Sequence, residues 1–354
     1  MIKVSFYSYK GGAGRSTTSW NTIQRLVTLM KPTEKEPFVI VDTDTESAGS
    51  TFLYKAKDVF FKDEERQSVQ RRMTDSEETN YSEASDSEKE EFFNGMYPVG
   101  TFFGLPLEEE KTVLLIGANL DKESAREADV FGDNPSKASE QMKNFRRNIT
   151  GACKDCGAKA LFFDTPSGTQ FLADKSIEQS EIIVCCMRPT SQFREGTRGR
   201  LINFIKADLK NKALVKRKYI LTPTVVCVDA GQKFFLDGEE HVYPSYAKEV
   251  IIRELGAESI EGNDEIKQAY KENVIFDMLE PTPAEGKIFS DPGVLAMDND
   301  SVFGIPEIKR FKWFEACLGK ILVEGGKLTS NDEMAINRYE YLAQTILRYQ
   351  YRKN

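Results

Sequence analysis

The stretch from Ile2 to Thr18, Ile-Lys-Val-Ser-Phe-Tyr-Ser-Tyr-Lys-Gly-Gly-Ala-Gly-Arg-Ser-Thr-Thr, constrains this chain more than any other. A short run of strand-forming residues around Val4 and Phe6 leads into Gly11, Gly12 and Gly14, and a helical pattern begins directly after them. Strand, glycine turn, helix is the way a backbone cradles phosphate. Glycines let the chain curl tightly, amide N–H groups turn inward, and the start of a helix adds a favourable field for an anion. The bland alternative is a glycine turn that holds nothing.

The common phosphate-binding loop reads G-x-x-x-x-G-K-[ST], and this chain does not fit it. It reads Lys10-Gly11-Gly12-Ala13-Gly14-Arg15-Ser16-Thr17, which resembles the deviant Walker A motif, K-G-G-x-G-K-[ST]-T, of the ParA/MinD family of ATPases. One departure stands out: arginine occupies position 15, where that family has its second lysine. Two further stretches extend the resemblance. Phe38-Val-Ile-Val-Asp42 is strand-like and runs into Asp42-Thr-Asp44, similar to the D-x-D that ends a strand in that family. Ala158-Lys-Ala-Leu-Phe-Phe-Asp164 is a second such run, and Asp164-Thr-Pro-Ser-Gly168 resembles a Walker B and switch II segment.

The resemblance implies a doubly wound α/β fold, mostly parallel and flanked by helices, with ATP and Mg²⁺ as ligands. Backbone groups of Gly11, Gly12, Ala13, Gly14 and Arg15 would wrap the phosphates, and Thr17 would contact the α-phosphate side. Ser16, Asp42 and Asp164 would form or support the Mg²⁺ shell. Asp44 would position the attacking water, and Gly168 would offer an amide to the γ-phosphate. Arg15 would reach the β- and γ-phosphates; guanidinium and ammonium are not interchangeable, so turnover is expected to be slowed. Lys10, the family's added lysine, would cross to the nucleotide of an opposing copy and make an ATP-dependent homodimer. The expected product is a switch that regulates an unidentified protein partner, in the manner of ParA-like ATPases of bacterial conflict or defence operons. Without dimerisation Lys10 is an ordinary surface lysine. The two acids of D-x-D also admit the reading of solvated strand-end groups. A pseudo-ATPase holding nucleotide as a structural ligand is a further alternative.

The remaining chain sets bounds. At 354 residues it suits one large α/β domain. The expected layout is a single domain over 1–354, with an acidic insertion at about 57–100, a helical insertion at about 229–270 and C-terminal helices over 308–354. No run of 18 apolar residues implies a membrane span, no signal peptide is expected ahead of the first strand, and six cysteines without a disulfide-like framework point to the cytoplasm. The formal net charge of −8 is concentrated: Met73 to Phe92 carries eight acids against Lys89 alone. Overall acidity therefore leaves room for a nucleic-acid face. Lys206, Lys210, Lys212, Lys216, Arg217 and Lys218 supply the candidate, a nonspecific DNA surface of the kind ParA-like proteins use; the alternative is a solvated helix end. No amphipathic membrane-targeting helix is read at the C-terminus. Cys153-x-x-Cys156 lacks two further ligands for zinc, and neither metal nor redox chemistry is expected there.

Further strands are expected over Thr112–Gly117, Ser180–Thr190, Tyr219–Val228 with Pro223 breaking its centre, and Asn273–Leu279. Helices are expected over Gln192–Asp208, Ile308–Val323 and Glu333–Tyr351. The loop 280–286 is expected near the nucleotide base.

Overall fold

The computed structural model describes residues 1–45, 47–56, 68–75, 81–119, 135–169, 171–211, 217–226, 233–236, 239–242, 250–261, 263–275, 305–307 and 330–351. Its centre is a mostly parallel sheet. The strands are β1 (Ile2–Tyr7), β2 (Phe38–Asp42), β3 (Tyr97–Pro98), β4 (Val113–Ile116), β5 (Ala160–Asp164), β6 (Ile182–Met187), β7 (Lys218–Val226), β10 (Val274–Ile275) and β11 (Ile305–Glu307), with β8 (Lys233–Leu236) and β9 (Glu239–Val242) forming a separate antiparallel hairpin. The order across the sheet is β10-β7-β6-β1-β5-β2-β4-β3, with β11 also paired to β7. Only β3 runs antiparallel to its neighbour in the main sheet. The order reverses about β1, which lies between β5 and β6, so a crevice opens beside its carboxyl end.

Strand periodicity divides the core between the two faces. Phe38, Ile40 and Phe162 join a cluster with Trp20, Ile23 and Leu26 of helix α1 (Arg15–Met30). The intervening residues Val39, Val41, Leu161 and Phe163 join a second cluster with Met142, Phe145 and Ile149 of a long helix over Pro135–Asp155. Strands covered on both faces read as continuous apolar runs, which is why β2 and β5 stand out in the sequence. Helix α1 stops at a proline: Lys31 turns left-handed (φ 46°) just ahead of Pro32 and closes the helix with a bond from its N–H to the Val27 carbonyl. The C-terminal helix Ser330–Tyr351 contributes Leu342, Ala343 and Ile346 to the same cluster as α1.

Three sequence expectations change in detail. The acidic stretch is more than a polar excursion: it contains helices α2 (Val69–Asp75) and α3 (Asp86–Asn94), and Val69, Met73 and Tyr81 are buried. The 229–270 region, expected to be helical, holds the β8–β9 hairpin among its described residues; its later part is helical as expected, with a helix over Asp264–Asn273, and supplies Ile251, Leu255 and Tyr270 to the main core. Strand β7 is continuous through Pro223, because the edge partner changes there. Tyr219 and Ile220 pair with β10, whereas Thr224, Val225 and Val226 pair with β11. A proline has no N–H to give a ladder and is tolerated at such a gap. The expected base-proximal loop 280–286 and the helix 308–323 lie outside the described residues. No helix among those residues is long and apolar enough to cross a membrane.

Candidate functional site

The glycine loop follows β1 at the carboxyl edge of the sheet. Gly14, the residue ahead of α1, has φ 76° and Gly12 has φ 79°, a region that side chains with a Cβ adopt at a cost. These two turns bend the chain back so that Arg15 opens the helix beside the ends of β2 and β5. Asp42 and Asp164 are register partners on those adjacent strands. Asp42, Asp44 and Asp164, all buried, gather at these strand ends, and Asp44 and Asp164 reach the loop through Arg15.

Each carboxylate is held by short-range partners. Asp42 Oδ1 accepts from the Asp44 amide (3.2 Å), and its Oδ2 accepts from the Thr51 amide (2.7 Å) and hydroxyl (2.8 Å). Asp44 accepts from the amide and hydroxyl of Ser47. Asp164 Oδ2 accepts from Ser50 Oγ at 2.6 Å. Burial, with Asp164 and Asp44 close by, pushes the Asp42 carboxyl up to about 8, against the opposing pull of its Thr51 bonds.

Arg15 sits among these acids. Its Nε donates to Asp164 Oδ1 at 2.6 Å and its Nη2 to Asp44 Oδ2 at 2.5 Å, with the side chain only 9% exposed. Burial works against the charge, but Asp164 and Asp44 outweigh it and raise the guanidinium further above its usual range. The arginine thus ties the loop to the ends of both strands.

A small cradle lies next to this cluster. A Cβ built on Gly49 would meet Ser16 Oγ at 2.6 Å and Asp164 Oδ2 at 3.8 Å. The Ser16 hydroxyl and an Asp164 oxygen therefore converge on one point that the absent side chain leaves open. Both are hard oxygen donors, and Mg²⁺ suits one or two such protein groups completed by phosphate and water. The residues present fit that ion. Among the described residues no group of three or more His, Cys, Asp and Glu has the arrangement of a self-sufficient metal site.

The opposite wall is a cleft of about 750 Å³ lined by Tyr9, Lys10, Gly168, Thr169, Gln192, Glu195 and Gly196. Lys10 is exposed, and its Nζ donates to Gln192 Oε1 at 2.7 Å. The Gly168 N–H donates to the Ser8 carbonyl (3.0 Å) and its own carbonyl accepts from Tyr7 Oη (2.7 Å). Arg200, on the helix over Ser191–Lys210, donates to the same Tyr7 oxygen and pairs with Asp174, so the loop after β5 is joined to two helices through one buried tyrosine. Arg188 Nε donates to the Gly12 carbonyl at 2.7 Å.

The structure brings together Lys10 to Thr17, Asp42, Asp44, Asp164 and Gly168. Sequence reading missed Ser47, Gly49, Ser50 and Thr51, which surround the acids. Their signal was a hydroxyl-rich run, Ser47-Ala-Gly-Ser-Thr51, two residues after Asp42-Thr-Asp44. It missed Gln192 as well, and it placed Arg188 at the carboxyl end of its strand without giving it a role. The Cys153 and Cys156 thiols lie away from this site, are free, and are both pushed up by burial.

Fold and loop together define a doubly wound α/β protein that presents a glycine turn, a helix start and a cluster of carboxylates on one sheet edge. No family model and no curated protein matches the sequence. Solved structures with a similar course of the chain include the MinD cell division protein of Aquifex aeolicus, at 12% identity and a TM-score of 0.48, covering 97% of this chain and 98% of that one. MinD from Pyrococcus horikoshii, complexed with Mg-ADP, shares 16% identity over 96% of this chain and 94% of its own, with a TM-score of 0.45. Cobyrinic acid a,c-diamide synthase from Mycobacterium smegmatis, with bound ADP and magnesium, shares 14% identity over 77% and 91%, with a TM-score of 0.46. These are similarities in the course of the chain and in nothing finer.

Proposed function

We propose that this chain is an ATP-binding and ATP-hydrolysing molecular switch of the ParA/MinD type, which pairs with a second copy across the bound nucleotide and regulates a partner protein. The observation that carries the reading is the convergence of the Gly11–Thr17 loop with the register pair Asp42 and Asp164 at the carboxyl edge, where doubly wound sheets take their ligands. The chemistry such a site supplies is positioning and charge neutralisation.

The amides of the glycine turn and the first turn of α1 bind and orient the phosphates. Ser16 and Asp164 would hold Mg²⁺, with Asp42 beside Asp164 on the next strand in support; when bound, the ion would supply charge neutralisation at the phosphates. Asp44 orients the water. For Gly168 to meet the γ-phosphate its N–H must first leave the Ser8 carbonyl, and that movement would be passed on through its carbonyl to Tyr7, Arg200 and Asp174. Lys10, exposed and hydrogen-bonded to the neutral amide of Gln192, is the group that would reach a second copy.

Sizing the protein with and without ATP tests this. Wild type is expected to double in mass only with ATP, and Lys10→Ala to stay monomeric. A monomer under every condition overturns the switch.

One observation favours a slower variant of the same reading. Asp44 accepts from both Arg15 and Ser47, so its water-orienting capacity is already partly spent. A pseudo-ATPase is then distinguished by full ATP affinity with no phosphate release, unchanged in Asp44→Ala. The DNA-partitioning reading has less support, because Arg217 of the basic run is buried and paired with Asp208, and Lys218 donates to the Glu272 carbonyl and Asn273 Oδ1.

A further inference from the structure

Arg15 occupies a position with the electrostatic character of a cation site. Two carboxylates, from different elements, present oxygens to one buried guanidinium, Asp164 Oδ1 to its Nε and Asp44 Oδ2 to its Nη2. A third acid, Asp42, stands beside them, one strand over from Asp164. Removing the arginine would leave these acids buried without a counter-charge, a state that costs far more than the ion pair itself gains. Swinging the arginine out toward phosphate has the same consequence unless another cation replaces it.

We propose that Arg15 is the resident cation of this site, holding the place between Asp44 and Asp164 that a divalent ion would otherwise take. This deepens the nucleotide reading of the same site and concerns which groups set its metal requirement. The nucleotide-free chain then has no appreciable affinity for free Mg²⁺ or Mn²⁺, and a metal ion is held only beside Ser16 and the far oxygen of Asp164, together with phosphate. Ammonium in the same place would serve less well. A lysine is a point charge and cannot bond two carboxylates in fixed directions, whereas the guanidinium plane does so with Nε and Nη2. Arg15 acts on the metal through the acids and is in that respect a positioning residue.

The test uses the full chain without nucleotide. Mn²⁺ is titrated into wild type, Arg15→Ala and Arg15→Gln, with bound ion followed by electron paramagnetic resonance, and the melting temperature of each is recorded with and without Mg²⁺. Wild type is expected to bind no Mn²⁺ in this titration and to show no Mg²⁺ shift. Both variants are expected to melt lower, to recover in Mg²⁺, and to bind Mn²⁺ with a Kd about tenfold or more below the highest concentration at which wild type shows no binding, the cautious end of what an unpaired buried charge is worth. Arg15→Gln removes the charge but keeps part of the side chain's bulk and an NH₂ group with two donors, so it serves if Arg15→Ala does not fold. Metal affinity in wild type equal to that of the variants, or no metal binding in the variants that fold, overturns the assignment. Parallel ADP titrations separate this from the nucleotide reading. If ADP binds neither protein while metal binding still appears on removal of Arg15, the nucleotide reading falls and the resident cation stands. If ADP binds and the metal response is the same in all proteins, the opposite holds.

Discussion

Two buried arginine–aspartate clusters lie at opposite edges of the same sheet. At the amino edge, Arg217 precedes β7. Its Nη1 donates to Asp208 Oδ1 (2.9 Å), its Nε to the Ser180 carbonyl (2.9 Å) and its Nη2 to the Glu178 carbonyl (2.8 Å). Tyr219 Oη completes Asp208 with a bond of 2.6 Å. One acid faces one arginine, and the remaining donors end on backbone. At the carboxyl edge Arg15 faces Asp44 and Asp164, with Asp42 alongside. The ingredients are alike and the charge balance differs. A latch closes on itself, whereas a binding site keeps a surplus of one sign for a ligand to complete. Burial of ions is weak evidence of function by itself; the uncompensated remainder is the informative part.

The largest effect should come from the latch. Arg217→Ala leaves Asp208 buried beside a tyrosine alone, and unfolding free energy is expected to fall by about 3–5 kcal/mol, read by urea denaturation. ADP affinity of the folded fraction should not change. A loss of ADP affinity without a loss of stability would erase the distinction between the two edges. Next in size is the cradle. Gly49→Ala puts a methyl against Ser16 Oγ, and overpacking by one carbon costs about 1–3 kcal/mol. Here it should appear as a roughly tenfold weaker binding of Mg-ADP by calorimetry, because α1 can shift only by moving the loop. Unchanged affinity would move the metal position elsewhere.

A smaller effect concerns pH. Asp42 is pushed up to about 8, chiefly by burial and then by Asp164 and Asp44. A carboxyl raised in the folded state binds its proton there across a range in which the unfolded chain has released it, so stability falls as pH rises from about 4 toward 8. The melting temperature of the nucleotide-free protein should therefore decline over that window, and Asp42→Asn should flatten the decline. An identical slope in wild type and variant would mean that the surplus charge at this edge is compensated after all.

The same contrast explains what the sequence made legible. Phe38–Asp42 and Ala160–Asp164 are visible because a strand buried on both faces must be apolar throughout, and an acid at its end breaks the pattern abruptly. Gly12 and Gly14 are visible because few other residues tolerate their φ. Asp42 and Asp164 could be paired in thought through the family resemblance, and the register places them side by side. The direction of Arg15 could not be read. Whether a guanidinium turns toward solvent and phosphate or back toward two carboxylates depends on the distance between strand ends, which no local pattern encodes. Arg217 was misplaced for a related reason: a run of bases looks like a surface, yet one member is only 4% exposed and pairs nine residues back along the chain. Val69 and Met73 escaped notice because two apolar residues among many acids carry little periodic signal.

The smallest predicted effect is the most direct challenge to the amino edge as a mere latch. Lys206 and Lys210 are exposed at the end of the helix that leads toward β7, and they are the described members of the basic run that face water. Each phosphate neutralised by a lysine contributes about 0.9 to the slope of log affinity against log salt. If the chain coats DNA through this end, replacing both lysines with glutamine should lower that slope by about two in ATP-loaded protein. Our expectation is no ATP-dependent DNA retention and hence no slope to lose, because the neighbouring Arg217 is buried against Asp208 and Lys218 is tethered to the Glu272 carbonyl and Asn273 Oδ1. A drop of the full size would show that positive charge is left over at this edge just as negative charge is at the other, and both edges would then have to be read as sites.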